Sequence, residues 1–217
     1  MAMAIAKGKT AALVLGPVTV LLAALPLTAQ AAPRTETPRA AAQPVNAPRT
    51  ETPRKESLPS ESEWLADVAP VAASLQGYLE QRLAGAHSGE KPAVVLDIDN
   101  TSLATHYDRG KAIEAILKAT DYAHAHGAAV LFASYRNADK ADATTRELTS
   151  AGYTVDGLCL KPEGDSPGKA KVKLGCRKKY EAEGYTLVAN VGNRSTDFEG
   201  GHYEKGFKLP DYDGQLS

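Results

Sequence analysis

An α/β fold, three layers deep with a parallel sheet at its centre, is predicted by three observations. Short apolar runs of strand length recur along the chain, and amphipathic stretches of helical spacing separate them. Polar and charged residues gather just after the apolar runs, where parallel sheets place their chemistry. The fold is expected over residues 60–217, an ordinary size for one domain.

The elements follow in order. Ser60 and Glu63 have capping-box spacing, and Trp64, Leu65, Val68, Val71, Ala72, Leu75, Tyr78, Leu79 and Leu83 recur as one face of a first helix. The glycines at 85–89 break it. Residues 92–99 read as a first buried strand. A helix from about Lys111 to His126 is closed by Gly127, and 128–133 is a second strand. A helix over 138–150 stops at Gly152, and 155–160 is a third strand. Residues 169–183 form a helix closed by Gly184, 185–191 a fourth strand, and 207–209 a short last one.

The N-terminal residues have a different character. Lys7 and Lys9 precede an apolar run from Ala11 to Leu27, followed by Ala29-Gln30-Ala31. This is the pattern of a secretory signal peptide over residues 1–31. A retained anchor is disfavoured by Gly16, Pro17 and Pro26 within the run. Residues 32–59 are rich in Pro, Ala, Thr and Arg, and the octapeptide Ala-Pro-Arg-Thr-Glu-Thr-Pro-Arg occurs at 32–39 and again at 47–54. Such a repeat buries no face, so a disordered linker is expected: a cell-wall or surface spacer, or a tail with no role of its own. The net charge of −1 gives no electrostatic footprint for nucleic acid. Two cysteines, Cys159 and Cys176, suit an exported protein with one disulfide, which would steady the helix over 169–183.

The strand ends carry the chemistry. The first presents Asp97-Ile98-Asp99-Asn100-Thr101, the second Ser134-Tyr135-Arg136. Lys169, Lys171 and Lys173 open the fourth helix, and the fourth strand leads into Gly192-Asn193-Arg194-Ser195-Thr196-Asp197. Two close carboxylates at a strand end are costly to bury unless a hard cation such as Mg2+ joins them. A carboxylate so placed can attack a phosphoryl group, and a second can act as acid and then base. A serine and a lysine at neighbouring strand ends can neutralise the charge on a transferring phosphoryl. Alone, Asp-x-Asp-x-Thr is a weak signal. Its specificity comes from the order in which Ser, Lys and Asp follow it.

These motifs resemble those of the haloacid dehalogenase superfamily, closest to the class B acid phosphatase-like branch, subfamily IIIB. The resemblance covers residues 60–217 and rests on Asp97-Ile-Asp99-Asn-Thr101, Phe132-Ala-Ser134-Tyr-Arg136, the segment around Lys173, and Gly184 to Gly201. It implies a Rossmann-like three-layer sandwich and a secreted phosphomonoester hydrolase that forms an aspartyl-phosphate. Asp97 would be the nucleophile and Asp99 the general acid/base, with its backbone carbonyl on the metal. Ser134 and Lys173 would bind the phosphoryl group, Lys169 and Lys171 being the alternatives to Lys173. Arg136, Asn100 and Thr101 would contact substrate. Asp97, Asp99, Asn193 and Asp197 would form the Mg2+ site. The family's last motif usually has aspartate where this chain has Asn193, so weaker metal binding is expected. The second reading is a catalytically weak or inactive storage or phosphate-binding protein on the same fold.

The intervals that hold a cap domain in many such proteins are short here. An essentially capless, open site for a phosphorylated substrate, small or large, is therefore expected. His106, Asp108, His124 and His126 are read as surface residues, and Arg136 and Arg194 each as either a substrate contact or an ion-pair partner.

Overall fold

The computed structural model describes residues 57–164 and 167–216. The signal peptide and most of the repeated linker fall outside the described residues. No helix among those described is long and apolar enough to cross a membrane.

Five strands form one parallel sheet in the order β3-β2-β1-β4-β5. They are β1 (Pro92–Leu96), β2 (Ala129–Asn137), β3 (Gly157–Lys161), β4 (Thr186–Gly192) and β5 (Lys205–Lys208). The helices are α1 (Glu61–Ala84), α2 (Glu114–Ala125), α3 (Ala141–Ser150) and α4 (Lys169–Ala182). Alternation along the strands divides the core in two. Val94, Leu96, Val130 and Phe132 pack with Trp64, Leu75, Ile116 and Leu148 on the face covered by α1, α2 and α3. Ala93, Val95, Leu131 and Ala133 pack with Val172, Cys176 and Tyr180 of α4 on the other. The fold is thus the three-layer α/β sandwich expected.

The topology explains why α4 is alone on its face. From β1 to β3 the chain moves outward along the sheet. It then returns across to β4, on the far side of β1. A crossover of fixed hand that reverses direction lands its helix on the opposite face. The reversal makes a crevice beside β1, between the β2 and β4 sides of the sheet.

Several boundaries differ from the sequence expectation. The first strand ends at Leu96, not Asp99. There the chain coils: the Ile98 carbonyl accepts from the N–H groups of Thr101, Ser102 and Leu103, and Asn100 turns at φ 55°. The second helix starts at Glu114 because Lys111 and Ile113 pair with Ala104 and Ser102 in that loop. The second strand runs on to Asn137, so Ser134 and Arg136 lie within it; after an irregularity, Asn137 still pairs with Lys161 of β3. Ala138–Lys140 is a single 3-10 turn ahead of α3. The last strand is Lys205–Lys208, set by pairing with 189–192 of β4. Among the described residues, β1 and α2 are joined only by a coiled loop, and β2 and β3 by the 3-10 turn, α3 and a short loop. Neither interval holds a cap domain.

Candidate active site

The carboxyl ends of β1, β2 and β4 and the first turns of α4 enclose a cleft of about 300 Å3. Asp97, Asp99, Ser134, Arg136, Lys173 and Asn193 all line it, with Thr105, Tyr135, Lys169, Arg194, Thr196 and Leu216. Six of the sequence-nominated residues therefore share one wall-to-wall site.

Asp97 lies at its base, 8% exposed, held by its N–H bond to the Val191 carbonyl. Lys173 Nζ is 2.7 Å from its carboxylate and also contacts Asp197. Burial pushes the Asp97 carboxyl up to about 6, against the pull of Lys173. Burial also opposes charge on Lys173, but the two acids outweigh it and keep the ammonium protonated. One cation divided between two buried carboxylates leaves Asp97 incompletely neutralised, which explains both directions. Of the three lysines of α4's first turns, Lys173 alone makes this contact. Lys169 stands exposed at the rim, and Lys171 does not line the cleft.

Arg136 grips Asp99 with both prongs, Nη2 to Oδ1 at 2.7 Å and Nε to Oδ2 at 3.0 Å, and Thr105 Oγ1 donates at 2.9 Å. Burial raises this carboxyl, but the Arg136 fork prevails and holds it below the usual carboxylate range. Arg136 is itself tied to Glu147 of α3 at 2.6 Å. Ser134 is 2% exposed and accepts from the Arg136 N–H at 3.3 Å.

Asn100 and Thr101 are placed beneath the cleft rather than in it. Both are buried, since the turn at Asn100 rolls them inward. Asn100 Oδ1 accepts from the His106 N–H at 2.8 Å, and Thr101 Oγ1 reaches Asp97 Oδ2 at 3.4 Å. They shape the loop and do not line the cleft. Asp197 is likewise behind the wall, 2% exposed, its Oδ2 accepting from the Arg194 N–H at 2.8 Å. Gly192 makes room for it: a Cβ there would lie 2.3 Å from Asp197 Oδ2.

Several contributors were not singled out from sequence. Arg177 is 1% exposed and donates to the carbonyls of Asp197, Glu199 and Gly201, clamping the loop after β4. Its place one turn beyond Lys173, on the same helix face, was the available signal. Asn190, a polar residue inside an apolar run, donates to the Asp197 carbonyl at 3.0 Å. Glu147 and Thr105 left no sequence signal, because their partners are set by tertiary structure. Cys159 of β3 and Cys176 of α4 form the disulfide.

Among the described residues, no three His, Cys, Asp or Glu side chains gather as a metal cage. The donors available for a hard cation are mixed. Asn193 Oδ1 and Thr196 Oγ1 are buried oxygens without a hydrogen-bond partner, in the same cleft as the Asp97 carboxylate. Two orphaned oxygens beside a carboxylate suit a cation that prefers oxygen and retains water, as Mg2+ does.

Residues 106–215 match the family model described as HAD superfamily, subfamily IIIB (acid phosphatase). The Asp97–Thr101 motif lies just ahead of the matched span. Two Glycine max proteins, a stem 28 kDa glycoprotein and a stem 31 kDa glycoprotein, are each 36% identical over 89 residues, 39% of this chain. The matches cover 35% and 31% of those proteins, so the chain spans about a third of the length of these relatives. A class C acid phosphatase from Bacillus anthracis superposes with a TM-score of 0.55 at 21% identity, over 71% of this chain and 83% of that one. Its tungstate-bound structure gives 0.55 at 20% identity, with the same coverage. At this identity the likeness is one of fold.

Proposed function

Because the chain belongs to the haloacid dehalogenase superfamily, subfamily IIIB, the acid phosphatase subfamily, we propose that it is an exported, Mg2+-dependent phosphomonoester hydrolase with Asp97 as nucleophile. The observation that carries this reading is the Asp97 carboxylate at the base of an open cleft, 2.7 Å from a buried lysine, with Asp99 on the same floor.

In the first half-reaction an Asp97 oxygen attacks phosphorus and the bond to the ester oxygen breaks. Asp99 first takes a proton from solvent, against the pull of Arg136, and passes it to the departing alkoxide as that bond breaks. In the second, Asp99 takes a proton from water, whose oxygen attacks phosphorus. Inorganic phosphate leaves and Asp97 is regenerated. The Arg136 fork fixes the Asp99 carboxyl in place and favours its ionised form, which suits the base step. Lys173 offsets charge on the phosphoryl group and Ser134 Oγ donates to it. Asp97, the Asp99 backbone carbonyl and Asn193 Oδ1 would hold Mg2+, with Asp197 in support behind. Bound there, Mg2+ supplies the positive charge that offsets the phosphoryl oxygens.

Export is supported by the signal-peptide pattern of residues 1–31 and by the Cys159–Cys176 disulfide. The repeated linker over 32–59 supports association with a cell wall or surface. The open cleft supports phosphorylated substrates of varied size, and the net charge of −1 gives no support for nucleic acid as a partner. A second reading, phosphate binding without turnover, draws on Asn193 in place of an acid.

Hydrolysis of p-nitrophenyl phosphate across a Mg2+ titration, with Asp97→Asn as control, tests the proposal. Metal-dependent turnover that disappears in the variant is expected. No turnover at any Mg2+ concentration under mildly acidic conditions would leave the binding reading in its place.

A further inference from the structure

Asn193 directly follows β4, in the wall of the cleft, and is 1% exposed. The two ends of its amide are unlike. Nδ2 donates to the Leu216 carbonyl at 3.1 Å, while Oδ1 has no partner in the protein. A carbonyl can only accept, so this contact decides which end of the amide faces it. The oxygen is left as the free end, in the cleft that Asp97 and Thr196 also line.

The carbonyl is itself firmly placed. The Leu216 side chain is 0% exposed within the core. Its N–H donates to the Asp211 carbonyl at 3.2 Å. Arg194 Nη1 donates to the carbonyls of Gly214 at 2.7 Å and Leu216 at 3.4 Å, and Tyr212 is tied to Asp67 of α1 at 2.7 Å. Residues 211–216 thus form a strap fixed at both ends across the loop that follows β4.

From this we infer that the Leu216 carbonyl is a positioning group that presents Asn193 oxygen-first as a neutral ligand for a hard cation. Asparagine, rather than aspartate, is the residue this strap accepts. A carboxylate here would set a second acceptor against the carbonyl with no proton between them. Charge alone makes Asn193 a weakened aspartate. The strap makes it the complement of a backbone acceptor.

The inference rests on the proposed function in taking a divalent cation as the ligand. Its test is calorimetric Mg2+ binding to the full chain in four forms: unaltered, Asn193→Asp, Leu216→Gly, and both together. Leu216→Gly should weaken binding about tenfold with asparagine present, the usual scale for losing an orienting partner of a ligand. In the Asn193→Asp background it should strengthen binding, because there it relieves a repulsion. An effect of the same sign in both backgrounds overturns the inference alone. No Mg2+ binding by the unaltered chain overturns the cation reading of the site and this ligand role together.

Should Leu216→Gly fail to fold, side-chain amide NMR of the unaltered chain decides. The NH2 pair that Asn193→Asp deletes should exchange with solvent at least about tenfold more slowly than a surface asparagine. Equal exchange rates would overturn the positioning contact.

Discussion

Cutting the bridge between Cys159 and Cys176, as Cys159→Ala with Cys176→Ala, should cost stability of a size that follows from the chain. The cysteines are 17 residues apart. Closing a loop of that length in the unfolded chain corresponds to about 3 kcal/mol in the chain-entropy relation. For a domain of this size that is a fall in Tm of roughly 6–12 °C. In urea the midpoint should drop by roughly 1–2 M with little change in slope. The structure adds a location. β3 is an edge strand, half-buried along its length, and the disulfide ties it to α4 one turn beyond Lys173. Amide exchange over Gly157–Lys161 should therefore quicken far more than over fully buried β1. Loss of p-nitrophenyl phosphate turnover on warming should accompany that local change. An unchanged urea midpoint would refute the entropic reasoning, and a uniform rise in exchange across the sheet would refute the location.

Three further outcomes are expected. Lys173→Met leaves Asp97 and Asp197 buried without their cation and should destabilise the domain by about 3–5 kcal/mol, measured by urea unfolding. Arg136→Lys replaces a fork by a point charge, and kcat/KM for p-nitrophenyl phosphate should fall by about tenfold or more, while an unchanged value would detach Arg136 from catalysis. Asp97 has a carboxyl raised in the folded state from 3.8 to about 6, so the folded state binds its proton more tightly than the unfolded one. Its stabilising contribution is complete below the unfolded value and is lost as pH rises to about 6. Without added cation, stability should fall over that window by on the order of 3 kcal/mol, and Asp97→Asn should flatten the curve in thermal unfolding across pH.

The legible part of the site was the part written at strand ends. Asp97, Ser134 and Asn193 could be placed because a parallel sheet delivers the residues after each apolar run to one edge, whereas Lys173, on α4, was set apart from Lys169 and Lys171 by the family resemblance. Asn100 and Thr101 sit in the same motif yet face inward. Their direction depends on the positive φ at Asn100 and on three N–H groups sharing the Ile98 carbonyl, which no periodicity encodes. Glu147 and the strap at 211–216 reach the site from distant segments through tertiary contacts, so local patterns do not announce them. Arg177 was closer to view: a basic residue one turn after Lys173 on the buried face.

The lysine that joins Asp97 to Asp197 has a consequence for how the protein is made. Its partners come from the ends of β1 and β4, and the helix that carries it crosses the sheet between them. No hairpin or single crossover contains the whole constellation. Parallel strands of this order pair only after long stretches of chain have closed, which is a slow route to the native state. A chain with β4 still undocked would have the helix but no second carboxylate, and Asp97 would be unframed. Activity regained after dilution from denaturant therefore counts finished molecules alone, and its time course should trail the return of helical signal.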